Sequence, residues 1–307
     1  MLDPINHYRQ HTEVTLAASY SSQLDDLPND VEELISIVQN LLIHYQTEKE
    51  KINLDIISMR NTEIDSRCVS LMLKKILLLD DSGFLNPRPP EKRLLSTCRD
   101  FSVLLCSFMR HKNIPARVRY GFAHYQYNDE CPMHDHTLVE YWNGSRWLYA
   151  ESRLNVLSKP LLGANPSDFP RHLFFSGAEI WRHIRQGTMN ERIFSGYRFD
   201  DGYGQWIVRN LFFLDLASLA GYEPLIWDSW GILLEEKPGA RVTDVQQLNF
   251  LDRMALLDPC LPDECNELIT SFNNYNGLSY QGKVHSFSPV SGAYCVDLHA
   301  RWSKQLI

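Results

Sequence analysis

Three residues of this sequence carry side chains that together could run thiol-based acyl chemistry: Cys98, His136 and Glu151. A cysteine attacks a carbonyl as its thiolate. A free thiol is mostly protonated at neutral pH, so a site has to lower its pKa. Two devices are within reach. Ser96 or Thr97 can cap a helix that begins near Cys98, setting the sulfur in a first turn beside N–H groups and the positive end of the helix dipole. An imidazole can accept the proton and later return it to a leaving group, provided a partner on its other nitrogen orients it.

The elements that must position these residues are readable from spacing. From Thr97 to about His111, Phe101, Leu104, Leu105 and Phe108 fall on one helical stripe, and Asn113 and Pro115 close the pattern. Residues 116–123 alternate apolar and polar, as a half-buried strand does. His136 to Trp142 and Arg146 to Tyr149 are β-branched and aromatic, with Asn143-Gly144 between them as a hairpin signal. If Asn143 and Gly144 are the two turn residues, Trp142 faces Ser145, Tyr141 faces Arg146, Leu138 faces Tyr149 and His136 faces Glu151. Directly opposed residues on one face have Cβ atoms about 4.5–5.5 Å apart. A bulge at the turn would shift the register and separate the pair.

Each of the three has an ordinary reading as well. Cysteine is among the most buried residue types, so Cys98 alone reads as core. A histidine facing a glutamate across a hairpin also occurs as a surface pair. His134, two residues from His136, and His124, after the 116–122 strand, compete for the role of base. The run Cys131-Pro132-Met133-His134-Asp135-His136 carries thiol and imidazole groups that zinc could use, but it lacks a second cysteine pair and fits a loop entering a strand. No metal and no cofactor is expected.

The rest of the chain frames this centre. Leu27-Pro28-Asn29-Asp30 opens a core-facing helix, with Asn29 as cap and Glu32 three residues on, followed by Val31, Leu34, Ile35, Val38, Leu41 and Leu42. A second helical pattern covers about 62–80, and Asn86-Pro87-Arg88-Pro89-Pro90 has to be an extended connector. Beyond Arg153, helical patterns recur over Ala178 to Arg185, Gln205 to Leu219 and Val242 to Leu257. Residues 274–295 are polar and rich in Gly and Ser, as a small sheet or a loose tail would be.

The totals narrow the class. The chain has 307 residues, 44% of them hydrophobic and 22% charged, which is a globular composition with ample length for a core. A net charge of −8 without like-charge runs argues against nucleic acid or an anionic membrane as partner. No apolar stretch is long enough for a bilayer span, and the first residues do not read as a secretory signal. Seven scattered cysteines read as reduced thiols rather than a disulfide framework, so the expected compartment is the cytoplasm.

Read together, Ser96-Thr97-Cys98-Arg99-Asp100-Phe101, then Asn113-Ile114-Pro115-Ala116-Arg117, then Asp135-His136-Thr137-Leu138-Val139-Glu140, and last Trp147-Leu148-Tyr149-Ala150-Glu151 resemble the transglutaminase-like superfamily of papain-type thiol enzymes. The resemblance covers about residues 94–155, and the flanks are more loosely similar to a bacterial subgroup. It implies an α+β fold, with helices packed on an antiparallel sheet and further helical segments at both ends. It implies that Cys98 is the nucleophile, His136 the base and Glu151 the orienter, where the family usually has aspartate. His136 is preferred over His134 and His124 because it satisfies both the register and the family pattern. The expected organisation is a helical segment over 1–90, a catalytic core over 91–160 and a mostly helical part over 161–307 that is compact with the core. The implied chemistry is acyl transfer through a thioester on Cys98 from a peptide, protein or acyl-thioester substrate. Water as acceptor makes the protein a peptidase or amidase, and an amine makes it an acyltransferase or crosslinker. A binding protein on a catalytically degenerate fold is the alternative of another class.

Overall fold

A computed structural model describes residues 2–124, 133–153, 163–196, 203–235, 238–279 and 282–298. Two compact units divide the chain. The N-terminal unit comprises Ile5–Val118 and Thr137–Arg171, and the C-terminal unit comprises Met1–Pro4, Arg119–His136 and His172–Ile307. Antiparallel sheet and helices make both units α+β.

In the N-terminal unit the helices are α1 (Pro4–Arg9), α2 (Val31–Leu41), α3 (Leu54–Arg60), α4 (Val69–Leu79) and α5 (Cys98–His111). The strands are β1 (Leu42–His44) and β2 (Leu94–Ser96), then the first residues of β3 (Ala116–Ala123), the later residues of β4 (Met133–Trp142), and β5 (Trp147–Ala150). Helix α2 is capped by Asp30, whose side chain accepts the Glu33 N–H at 3.0 Å. The cap thus stands one residue after the expected Asn29. Leu34, Ile35, Val38 and Leu41 then bury the stripe that α2 turns toward α5.

The helix expected over 62–80 is interrupted. A 3₁₀ turn ends at Asp65, Ser66 is extended, and α4 starts only at Val69. The cause is tertiary. The buried Arg99 guanidinium takes the Ser66 carbonyl at 3.1 Å and the Arg67 carbonyl at 2.7 Å, which a continuous helix would bond internally. The connector is non-helical as expected through Pro89, but Pro90 opens a 3₁₀ turn over Pro90–Lys92 before the chain reaches β2, which pairs in parallel with β1.

At the far end of α5 the chain turns sharply. Asn113 adopts φ 61°, Asn113 N–H donates to the Arg110 carbonyl at 3.0 Å and Ile114 N–H to the Met109 carbonyl at 2.9 Å. This is a Schellman closure with asparagine in the left-handed position that glycine usually takes, and Pro115 prevents the helix from resuming. The 116–123 strand differs from expectation. All eight residues of β3 are buried, including Arg117 and Arg119. Arg117 is held by Glu140, Nη2 to Oε2 at 2.8 Å, and lies over the Trp147 and Tyr8 rings.

The packing around α5 also holds a titratable group. Thr15 accepts hydrogen bonds from Ser107 on its carbonyl and from Arg110 on its hydroxyl, and His11 Nδ1 lies 3.1 Å from the same carbonyl. Burial, then the Arg110 charge, push the His11 pKa down to about 4 from 6.5. The unfolded chain therefore binds a proton on His11 that the folded chain refuses between those two values. Stability from this group is complete above the unfolded pKa and is lost as pH falls toward the folded one. Melting temperature is expected to drop more steeply from about pH 6.5 to about pH 4 in the native protein than in His11→Gln; parallel acid limbs would reject the assignment.

The C-terminal unit holds the outer residues of β3, the first residues of β4, and β6 (Phe174–Ser176), α6 (Gly177–Arg185), β7 (Phe194–Ser195), α7 (Gly204–Leu219), β8 (Asp228–Ser229), α8 (Val245–Met254), α9 (Pro262–Asn274), β9 (Lys283–Ser288) and β10 (Gly292–Asp297). Helix α7 is buried almost all round, and α6 and α9 pack on it. Its two polar anchors are satisfied. Asp215 takes Arg119 in a fork, 2.9 Å to Nε and 2.8 Å to Nη2, while Arg209 bonds Gln247, Asn210 and the Ile232 carbonyl. Helix α8 begins at Val245 rather than Val242, because Asp244 caps it, its side chain accepting the Gln247 N–H. The tail over 274–295 includes an antiparallel hairpin of β9 and β10, with β8 along β9.

Strand β3 meets β6 at Gly121, opposite Ser176. A Cβ there would run into the Phe175 carbonyl oxygen and lie 2.8 Å from the Ser176 Cα, both backbone atoms. Gly121→Ala is therefore expected to cost about 2–4 kcal/mol, in the upper range for overpacking, read as a lowered urea midpoint. A shift below about 0.5 kcal/mol would mean that the strands can separate freely.

Candidate functional site

Cys98 is the first residue of α5, and strand β2 ends two residues before it. Asp100 makes that turn: its Oδ2 accepts the Thr97 N–H at 2.9 Å and the Thr97 hydroxyl at 3.1 Å. Of the two expected caps, Ser96 and Thr97, it is Thr97 that serves, with the carboxylate three residues on reaching back, as in a capping box. Burial pushes the Asp100 carboxyl above its usual range, opposed by the Arg99 charge and the Thr97 bonds. β2 is fixed in turn, since Leu95 N–H donates to Glu63 Oε2 at 2.9 Å and Arg60 grips the Glu63 carboxylate. The elbow at Cys98 is therefore held from both sides.

The hairpin carrying the other two candidates has a different register from the one expected. Trp142 pairs with Trp147, Tyr141 with Leu148, Glu140 with Tyr149 and Val139 with Ala150. The connection is four residues long, not two. A two-residue type I′ turn needs positive φ at both central residues. Gly144 has φ 101°, but Asn143 is not among the positive-φ residues. Instead the Asn143 side-chain oxygen accepts the Ser145 and Arg146 N–H groups at 3.0 and 2.9 Å, an Asx turn that absorbs two more residues. The slip is two residues, so face parity survives. The ladder ends at the Val139 and Ala150 pair, so Glu151 lies just beyond β5 and the expected direct His136 to Glu151 pairing is not part of it.

Glu151 is buried, its N–H donates to the Pro166 carbonyl at 2.8 Å, and its Oε1 accepts the Arg153 N–H at 2.7 Å. Arg153 in turn reaches Thr47 Oγ1 at 2.8 Å. These bonds fix the carboxylate's position within the N-terminal unit. His136 is fully buried, 6.2 Å from the Phe174 ring in an edge-on arrangement, and is the last residue of its segment in the C-terminal unit.

The competing histidines are placed differently. His134 Nδ1 lies 2.9 Å from the Ser195 hydroxyl, within the β4 and β7 pairing. His124 is exposed just after β3, its pKa lowered by partial burial and by His172. Of the zinc-like run, Cys131 and Pro132 lie outside the described residues. Among the described residues no group of three or more His, Cys, Asp or Glu could hold a metal ion, and the six described cysteines are free thiols. Among them, too, no helix is long and apolar enough to cross a membrane.

A hydroxyl pair beside the site was not evident from spacing. Ser102 Oγ lies 3.1 Å from Thr137 Oγ1 and bonds the Cys98 carbonyl at 3.1 Å. Its only sequence signal is a small polar residue one helical turn after the cysteine.

Residues 85–152 match the family model described as the transglutaminase-like superfamily. That segment is a transglutaminase-like core, and it contains α5, β3, β4, β5 and all three candidate residues. No curated protein and no solved structure matches the chain.

Proposed function

We propose that this protein is a cysteine-dependent acyl-group enzyme in which Cys98 is the nucleophile, His136 the base and Glu151 the orienter. The observation that carries the reading is the place of Cys98. It is the first residue of a capped helix, inside the segment matched to the transglutaminase-like superfamily. A thiolate there lies at the positive end of the α5 dipole, which favours the charged form.

In this reading His136 takes the proton from Cys98 Sγ as sulfur adds to the substrate carbonyl. The Cys98 N–H supports the oxyanion. Collapse expels an amine, which leaves with the proton from the imidazolium, and a thioester remains on Cys98. Water then adds under His136 base catalysis and expels the thiol, releasing an acid. Peptides, proteins or acyl thioesters are the substrate class, and hydrolysis is the preferred second half. An amine acceptor in place of water makes the same intermediate an amide-forming reaction. No cofactor takes part in this scheme.

A second reading, a binding protein on a catalytically degenerate fold, draws on one observation. Glu151 replaces the usual aspartate and spends Oε1 on the Arg153 N–H. The rate of alkylation of Cys98 by iodoacetamide, followed on its own peptide, separates the two. A triad thiolate reacts at about pH 6, whereas a thiol of ordinary pKa, about 8.5, barely does. An ordinary profile would refute the enzymatic reading.

A further inference from the structure

We propose that Thr137 and Ser102 are positioning residues that act on Cys98 through a hydrogen-bond relay, an inference that rests on the catalytic reading above. Both side chains are buried, each 1% exposed. Ser102 Oγ bonds the Cys98 carbonyl oxygen at 3.1 Å and lies 3.1 Å from Thr137 Oγ1. A serine hydroxyl has one hydrogen. The carbonyl can only accept, so that hydrogen goes to Cys98. The Ser102–Thr137 contact is then donated by Thr137. The direction of the relay is fixed: Thr137 O–H to Ser102 O–H to the Cys98 carbonyl.

A serine bonding back to a carbonyl one turn earlier is common in helices and does little alone. Two features set this one apart. Its acceptor is the peptide that joins Cys98 to Arg99, at the head of α5. The N–H of that peptide belongs to Arg99, in the first turn, where an anion is received. Drawing density toward the carbonyl oxygen makes the N–H of the same peptide a better donor, and a second hydroxyl behind the first strengthens the effect, as chains of hydrogen bonds polarise one another. The relay also begins next to His136 in sequence. Alternation along β4 sends the Thr137 side chain to the opposite face from His136, so Thr137 acts through the strand and the relay rather than on the imidazole.

The test is the pH profile of Cys98 alkylation by iodoacetamide in the full chain, read on the Cys98 peptide, for the native protein, Ser102→Ala, Thr137→Val, the double variant and Thr137→Ser. In Ser102→Ala the profile is expected to move to higher pH, so that the rate at about pH 6 falls roughly two- to fourfold, the scale of about 10–30% polarisation of a hydrogen bond to a charged group, and by less in Thr137→Val, with the alkaline plateau unchanged. Thr137→Ser keeps the hydroxyl and should retain the native profile. Because the effect passes through Ser102, the double variant should match Ser102→Ala rather than add to it. A purely structural role would lower the melting temperature and leave the profile in place. A low native midpoint that neither variant moves overturns the relay alone, and so does an additive double variant. A native midpoint near about 8.5 overturns the catalytic reading and the relay with it. Ser102→Ala introduces a stronger helix former, so it keeps the test open should Thr137→Val not fold.

Discussion

Cys98→Ala is expected to abolish acylation by an acyl-thioester probe, and His136→Ala to reduce it by on the order of 10⁴-fold, as for members of a nucleophile–base pair that work as a unit. Alanine at 98 leaves no atom to carry the acyl group. Alanine at 136 leaves the sulfur and the helix head but removes the group that takes its proton. Melting curves of both variants should stay close to the native one for Cys98→Ala and fall modestly for His136→Ala, whose ring packs edge-on to Phe174. The measurement is probe incorporation resolved by peptide, because Cys295 is exposed and Cys260 half-buried and either could be labelled nonspecifically. Label that persists in Cys98→Ala with saturable, pH-dependent kinetics at another cysteine would displace Cys98 from the role. Glu151→Asp restores the family's usual residue and should keep activity, while Glu151→Gln removes the charge that would stabilise the imidazolium and should lose it.

The second large effect concerns stability. Arg117 is fully buried, and Glu140 Oε2 receives both its Nε and Nη2 at 2.9 and 2.8 Å. Glu140→Leu removes that carboxylate from a buried guanidinium that lies over two aromatic rings. The expected loss is about 3–5 kcal/mol, the range for breaking a buried pair from one side, seen as a fall in the urea midpoint. Replacing both partners, Arg117→Met with Glu140→Leu, should recover most of that loss, because the penalty lies in the orphaned charge rather than in the missing attraction. Some deficit should remain, since Arg171 also bonds Glu140, at 2.9 Å from its half-exposed side chain. A Glu140→Leu cost below about 1 kcal/mol would show that water reaches Arg117.

Several features were legible because they are local. The stripe of Phe101, Leu104, Leu105 and Phe108 marks α5, and Ser96 or Thr97 as cap places Cys98 in its first turn; the Asp100 carboxylate, which holds Thr97 as the cap, was not read from spacing. Asn113 and Pro115 fix its end through backbone conformation and a missing donor. The position of the β4–β5 turn was equally legible in Asn143-Gly144. Its length was not, since Asn143 can serve such a turn with a left-handed backbone or with its side-chain oxygen, and the second choice slips the register by two. The alternation over 116–123 looked like a solvent face. In the fold those arginines are interior, paired with the distant carboxylates Glu140 and Asp215. The break between residues 65 and 69 has the same origin, because Arg99 claims carbonyls that helical periodicity would have kept.

By itself, then, the sequence determined the helix that carries Cys98 near its start, the order of cysteine, histidine and carboxylate, and the residue types around them. These follow from capping, periodicity and turn chemistry, which act within a few residues. Tertiary structure alone decided the register of β4 on β5, which charged side chains are interior, and that a threonine of β4 reaches a serine of α5. Each of those is a contact between segments far apart in the chain, chosen by the burial and pairing of polar groups that have no local substitute.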